Sequence, residues 1–579
     1  MIDLKAWLPI NKKELKIRGW DSVDVIIISG DSYVDHPSFG HALIGRLIEH
    51  QGFRVAILPQ PNWRDDLRDF KKLGKPRLFF GITSGAMDSM VNHYTAFKRL
   101  RSNDAYTAGN VSNFRPDYAV VTYSQIVRNI FPDSFIILGG VEASLRRLTH
   151  YDYWSNSLKP SILIESKADL LVYGMGEKPI LDILNVFTKN NTPTIDNFKH
   201  IPQIAYLSDK IDSNGILLHE HEQCVKSKQK FAENFKIIEI ESNKLKSKKI
   251  IQKTKNQYVI VNPPTSLPTQ KELDSFYELP FTRLPHPTYN KRGDIPAFVM
   301  INCSVNIHRG CFGGCSFCTI SIHQGKFISS RSEKSIINEV EKISKMPYFK
   351  GYITDLGGPS ANMYRMQGMD VTICENCNRP SCIFPNICRN LCFDHNPLLS
   401  LYQKVTKLPF IKKVTIGSGV RYDMLQHKDS QKIKSYGLKT YQSELIRKHV
   451  SGRLKVAPEH SENHILQLVR KPSFQQFEEF KKDFDTINAK YNLKQQLIPY
   501  FISSLPGCQL QDMKLLSQKI KHMYYNNLEQ VQDFTPTPMT LASIIFYAGI
   551  NPYTNEKIFC ETDISKKKEQ NFYFFKHKK

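Results

Sequence analysis

Short apolar runs and helical patterns alternate along the first part of the chain. Residues 23–29 (VDVIIIS) are an apolar run of strand length closed by a Gly/Asp turn, which predicts a buried strand. Residues 39–51 follow with Leu43, Ile44, Leu47 and Ile48 at helical spacing. Further strands are predicted over 53–58, 77–82, 118–123, 134–138 and 170–172. Strands that alternate with helices predict a doubly wound parallel sheet, whose ligands bind at the loops after the strands. Those loops carry Asp31, Ser84-Gly85, Gly139-Gly140-Val141-Glu142 and Gly174-Met175-Gly176-Glu177.

The periodicity then lapses. Residues 223–257 are rich in Lys, Glu and Ser and read as a surface insertion or linker. A Pro-studded passage over 263–289 predicts an ordered but irregular connector. From residue 297 the alternation resumes, with strands predicted over 299–305, 351–355, 414–417, 454–456, 497–502 and 531–534 and helices over 332–344 and 474–488. Six strands with crossovers suit a partial (β/α)6 barrel of the TIM type, with its chemistry at the C-terminal ends of the strands. The division expected is an N-terminal Rossmann-like α/β domain over 1–200 and an insertion and connector over 201–296. A core over 297–560 and a basic tail over 561–579 complete it.

Composition narrows the class. A chain of 579 residues is too long for one compact core. No apolar run reaches membrane-spanning length and the N-terminal stretch lacks a secretory pattern, so a cytoplasmic protein with no membrane partner is expected. The formal charge of +24 is compatible with a nucleic-acid partner. Solvated charge is the preferred reading, because lysine far outnumbers arginine and the densest runs (244–255, 566–568, 576–579) look disordered.

Cysteine changes the picture most. Nine of the twelve cysteines fall between Cys303 and Cys392. Such crowding in a reduced chain suggests metal or iron–sulfur chemistry. Cys311, Cys315 and Cys318 stand in the spacing Cys-x3-Cys-x2-Cys, with Phe317 before the last and Gly310, Gly313 and Gly314 around them. Three thiolates on one short loop can bind three irons of a cubane cluster and leave the fourth open. A zinc site completed by Cys303 or His308 is the alternative.

The loop resembles the signature of the radical S-adenosylmethionine (SAM) superfamily. That resemblance implies a [4Fe-4S] cluster on Cys311, Cys315 and Cys318, with SAM on the open iron. It also implies reduction of SAM by one electron to methionine and a 5′-deoxyadenosyl radical that abstracts hydrogen from the substrate. A low-potential donor such as flavodoxin or ferredoxin would supply the electron. By position, Gly357 and Gly358 after the second barrel strand, Ser418 and Arg421 after the third, and Lys455 and Glu459 on the fourth resemble the residues that hold SAM. The phrases GITSGAMDSMVNHYTAFK, YELPFTRLPHPTY, DLGGPSANMY and VQDFTPTP resemble the YgiQ-like family over nearly the whole chain. The family leaves the substrate open.

The N-terminal region is similar to the cobalamin-binding half fused to some radical SAM cores. The ligand pattern Asp-x-His-x-x-Gly is absent, however. Asp35-His36-Pro37-Ser38-Phe39-Gly40 places His directly after Asp, so His36 is expected to be a turn residue. A second group, Cys374, Cys377, Cys382 and Cys388, resembles a cysteine set of the same family, with Cys392 additional. Four thiolates suffice for zinc or a further iron–sulfur cluster. Two other functions fit the three-cysteine loop or the charge. One is an RNA-modifying methylthiotransferase of the radical SAM type, which usually adds a small β-barrel that this sequence does not predict. The other is a non-catalytic zinc-stabilised nucleic-acid-binding protein.

Overall fold

The computed structural model describes residues 3–190, 192–523 and 531–572. Its N-terminal region is built on a nine-stranded sheet. The strands Val55–Pro59, Val25–Ser29, Phe79–Thr83, Phe135–Leu138 and Leu170–Val172 lie in that spatial order and pair in parallel throughout. All five residues of Val25–Ser29 are buried, because helices cover both faces of a parallel sheet. Helix Gly40–His50 packs its Ala42 and Ile48 into one face. Helix Ala119–Ile130 packs Ala119, Val120, Tyr123 and Val127 into the other. The chain reverses direction across the sheet between Val25–Ser29 and Phe79–Thr83, and the crevice at such a switch point is where α/β sheets bind ligands.

Three expectations are corrected. Residues 118–123 are not a strand but the start of helix Ala119–Ile130; a short apolar run cannot be told from a helix by periodicity, and here the buried positions recur at helical spacing. The region 223–257 is regular. It forms helices His221–Lys226 and Lys228–Ser242 and strands Lys249–Thr254 and Gln257–Val261. With Ile204–Ser208 and Gly215–Leu217, those strands extend the same sheet past residue 200. Residues 299–301 belong to helix Pro296–Ile301, which Pro296 opens at a position where its missing N–H costs nothing. The strand is confined to Ser304–Asn306.

The connector carries helix Gln270–Glu278, capped by Thr269. Its Pro-rich continuation is tied down by Arg283, which donates to Glu339 at 2.5 Å; Glu339 also accepts from Arg331. Beyond it, strands Ser304–Asn306 and Asp355–Gly357 pair in parallel, as do Tyr352–Ile353 and Lys413–Val414. Arg453–Glu459, Gln496–Ser503 and Val531–Asp533 form a third parallel group. Helices Glu333–Ser344 and Phe474–Lys490 bury Ile336, Val340, Phe477 and Phe480 against one face of these strands. Tyr352, Thr354, Gly417 and Lys455 are exposed on the other.

The basic tail is also more ordered than expected. Helix Ile564–Phe572 buries Lys567 and Gln570, and Gln570 accepts from the Ser504 amide at 3.0 Å and donates to the Cys508 carbonyl at 3.2 Å. The basic end 576–579 lies outside the described residues. Among the described residues, no helix is long and apolar enough to cross a membrane.

Candidate active site

The three-cysteine loop leaves strand His308–Arg309 and returns to its antiparallel partner Ser329–Ser330. It is closed at its base by the Cys311 amide, which donates to the Gly325 carbonyl at 3.1 Å. Gly313 is needed because Arg421 packs against it: a Cβ there would lie 2.5 Å from Arg421 Nη1. Gly314 has φ +62°, and a Cβ there would strike the Pro380 carbonyl oxygen at 2.3 Å. The loop is thus moulded between the third strand's terminus on one side and the second cysteine segment on the other.

Most of the residues singled out from the sequence converge on it. Arg421 Nη1 stands 3.8 Å from Cys315 Sγ, and Ser360 Oγ stands 3.7 Å from Cys311 Sγ. The Arg421 backbone is held by Asn362, which accepts from its amide at 2.8 Å and donates to its carbonyl at 3.1 Å. Gly357 lies against Ser418, and Gly358 against the buried ring of His308. Asp355 accepts from the Gly417 and Ser418 amides at 2.9 and 3.1 Å and from the Ser418 hydroxyl. Glu459 is buried and paired with Lys471 at 3.1 Å.

Lys455 is the exception. It projects from the exposed face of its strand, 5.9 Å from the Tyr500 ring, while its neighbours Leu454 and Val456 are buried. Strand alternation sets it on the face opposite Leu454 and Val456, and no contact joins it to Arg421 or Glu459 among the described residues. Ser360, Asn362 and Lys471 were not legible from the sequence, because they come from loops with no spacing that links them to a cysteine, whereas His308, a candidate zinc ligand by spacing, packs against Gly358.

Burial raises the Cys311 thiol and pushes Cys318 up to about 12, with neighbouring cysteines adding to the effect. Such thiols ionise at neutral pH only when a cation takes the proton's place. Among the described residues, no three His, Cys, Asp or Glu side chains gather as tightly as one metal ion requires. A zinc cage, with Zn–S near 2.3 Å, brings its sulfurs to roughly 4 Å of one another. Three thiols on one short loop can each take one iron of a cubane cluster, so the donor set suits such a group.

The second cysteine group lies alongside. The Cys382 amide and the Ser381 hydroxyl both donate to the Phe312 carbonyl of the first loop, at 3.0 and 3.2 Å. Burial pushes Cys382 up to about 11; Lys326 opposes that shift, and Cys388, Cys377 and Cys374 add to it. Lys326 is only 3% exposed and donates to Cys377 Sγ at 3.6 Å and to the Arg379 carbonyl at 2.9 Å. Cys392 stands apart in strand Leu391–Cys392, paired with Gln367–Gly368.

The N-terminal sheet meets the loop directly. Arg309, two residues before Cys311, donates to Glu177 at 2.6 Å and to the Tyr277 hydroxyl at 3.1 Å. A cavity of about 460 Å³ separates the ends of the parallel strands from the segment after Cys318. Gly85, Gly139, Gly140, Gly174 and Gly176 line it from the sheet, and Thr319, Ile320 and His323 from the loop. Asp31 and Glu142 have structural roles instead. Asp31 pairs with Arg115 at 2.9 Å, and Glu142 accepts from the Ser89 and Val120 amides at 2.8 and 3.0 Å. His36 is fully engaged: Nε2 meets Arg283 at 2.7 Å and Nδ1 accepts from the Ser38 amide at 3.1 Å.

The α/β region matches a known family. A family model described as radical SAM N-terminal matches residues 7–304. A UPF0313 protein of Bacteroides thetaiotaomicron is 56% identical over 99% of this chain and 94% of its own. A UPF0313 protein of Porphyromonas gingivalis is 54% identical over 100% and 91%, and one of Methanocella arvoryzae 43% identical over 96% and 91%. Among solved structures, the radical SAM methyltransferase TsrM from Kitasatospora setae, with cobalamin and a [4Fe-4S] cluster bound, is 13% identical. That likeness covers 90% of this chain and 77% of TsrM, with a TM-score of 0.47. The chain belongs to the UPF0313 family of YgiQ-like radical SAM proteins.

Proposed function

We propose that this protein is an enzyme that cleaves SAM reductively at a [4Fe-4S] cluster held by Cys311, Cys315 and Cys318, and that the six C-terminal strands form a partial (β/α) barrel around that chemistry. The convergence of Arg421, Ser360 and the Gly357–Ser418 pair on the three thiols is the observation that supports it most. When bound, the cluster would supply one electron to SAM and so give access to a 5′-deoxyadenosyl radical. The chain's own residues prepare the setting. Arg421 places positive charge beside thiolates, and Gly357, Gly358 and Ser418 form a narrow turn suited to the SAM amino and ribose groups. Glu459 and Lys471 add a buried charge pair on the far side. A donor such as flavodoxin or ferredoxin would deliver the electron, and the exposed strand face bearing Tyr352, Thr354 and Lys455 leaves room for a substrate.

Cys374, Cys377, Cys382 and Cys388 are proposed to hold a second centre, zinc or iron–sulfur. The support is Lys326, a buried cation that stands against these thiols and has no carboxylate partner among the described residues. Four thiolates complete such a centre, which suits a structural or electron-relay role.

Anaerobic reconstitution followed by assay for 5′-deoxyadenosine tests the main reading. Cys311→Ala, Cys315→Ala and Cys318→Ala should each abolish its formation. Undiminished 5′-deoxyadenosine in any one of them would reject the assignment.

A further inference from the structure

We propose that a second cavity, which adjoins the one under the parallel strands and shares Gly174, Glu177 and His323 with it, is a binding site for a phosphate-bearing small molecule. It encloses about 440 Å³ and lies where the sheet extension, the segment after Cys318 and the cysteine-rich segment meet. A volume of this order suits a small ligand rather than a polymer.

Its charge is the first argument. Among the described residues, seven lysines and arginines line it against three glutamates. The glutamates are already neutralised: Glu177 by Arg309, Glu241 by Lys244 and Glu375 by Lys246. Lys178 is likewise matched, by Glu272 at 3.5 Å. Arg147 and Lys248 remain without a carboxylate, while Lys326 is turned to the thiols of the second cysteine group.

Arg147 is the second argument. It is 5% exposed, and its guanidinium makes one hydrogen bond, from Nη1 to the Ser144 carbonyl at 2.6 Å. Its Nε is buried with no partner, and its charged carbon stacks 4.8 Å from the Tyr173 ring centroid. A buried guanidinium left this way is costly unless an anion completes it. The desolvation also lowers its proton affinity, unlike that of the paired arginines nearby.

The third is backbone polarity. Gly174, Met175 and Glu177, at the start of the thirteen-residue helix Glu177–Lys189, face the same space. The Gly174 amide is taken by the Ser144 hydroxyl at 2.9 Å and Pro179 has no N–H, so what this terminus adds is the partial positive charge of the helix. A single carboxylate would match only one of the two cations, Arg147 and Lys248. A phosphate, with a charge of about −1.5 to −2 and three acceptor oxygens, matches both and suits the arginine fork.

The experiment is equilibrium binding of inorganic pyrophosphate to the full-length reconstituted protein at constant ionic strength, with acetate as control. Saturable binding that acetate does not displace is expected, weakened about tenfold or more in Arg147→Met. Lys248 is exposed, so Lys248→Met leaves the fold intact and should weaken binding about threefold. If acetate competes equally, or if both variants bind pyrophosphate as the parent does, the proposal is overturned. Should Arg147→Met fail to fold, Lys248→Met and parent binding decide alone. None of these readouts depends on SAM cleavage, so the proposal and the radical SAM reading fail independently.

Discussion

Arg421 directs Nη1 towards the Cys315 sulfur at 3.8 Å, while Asp423 holds its Nε at 3.0 Å and its Nη2 at 2.6 Å. The carboxylate clamps one edge of the guanidinium and leaves the other facing the Cys315 sulfur. The whole group is buried, so its field is poorly screened.

Removing that charge should therefore make the proposed cluster harder to reduce. Arg421→Met is expected to shift its midpoint potential to a more negative value, by tens of millivolts, with cluster content unchanged. An electron-paramagnetic-resonance redox titration measures this. Arg421→Lys should fall between the two. A potential that does not move would remove Arg421 from the site.

The Glu177–Arg309 pair joins the N-terminal sheet to the base of the cysteine loop with both partners buried. Glu177→Gln strands a buried guanidinium and should destabilise the protein by about 3 kcal/mol. The double variant Glu177→Gln/Arg309→Met should recover most of the loss, since no uncompensated charge is left. Denaturant midpoints of the three proteins test this, and additive losses would contradict it.

The four-cysteine segment should retain a metal independently of the first loop. The triple variant Cys311→Ala/Cys315→Ala/Cys318→Ala is expected to carry one centre by metal and sulfide analysis. Zinc without sulfide would identify the structural form, and iron with sulfide a relay cluster. A metal-free protein that folds normally would dispose of the second site.

Lys567 gives a pH dependence. Burial lowers its proton affinity from 10.5 to about 8, partly opposed by Asp533. Between those two values the unfolded chain binds the proton and the folded one does not, so stability should rise with pH from about 8 to 10.5. The gain is about 3 kcal/mol at most. Lys567→Met should be the more stable protein near neutral pH and lose this rise, which thermal melts from pH 7 to 10 would register. A melting temperature that falls alike in both proteins over that range would refute it.

Much of the site was legible in the sequence, for a local reason. Cys311, Cys315 and Cys318 lie within eight residues, and their glycines and Phe317 are part of the same loop. The strand-end positions Gly357, Ser418, Arg421 and Glu459 were found because apolar runs locate the strands. Strand alternation is local too, yet Lys455 escaped, because which face is open depends on the helices packed against it.

Apolar runs by themselves located the five parallel strands from Val25–Ser29 to Leu170–Val172, since burial on both faces leaves a continuous apolar run, but the same signal at 118–123 belonged to a helix. Residue spacing determined the cysteine loop. Tertiary structure alone decided that residues 204–261 extend the sheet, because Gln252, Thr254 and Asn243 are polar groups buried by partners that are distant in the chain. It alone seated Lys567, Lys326 and Arg147 in the interior. A lysine or arginine has the same signature in the sequence whether solvated or buried, and its burial depends on acceptors that only the folded chain brings together.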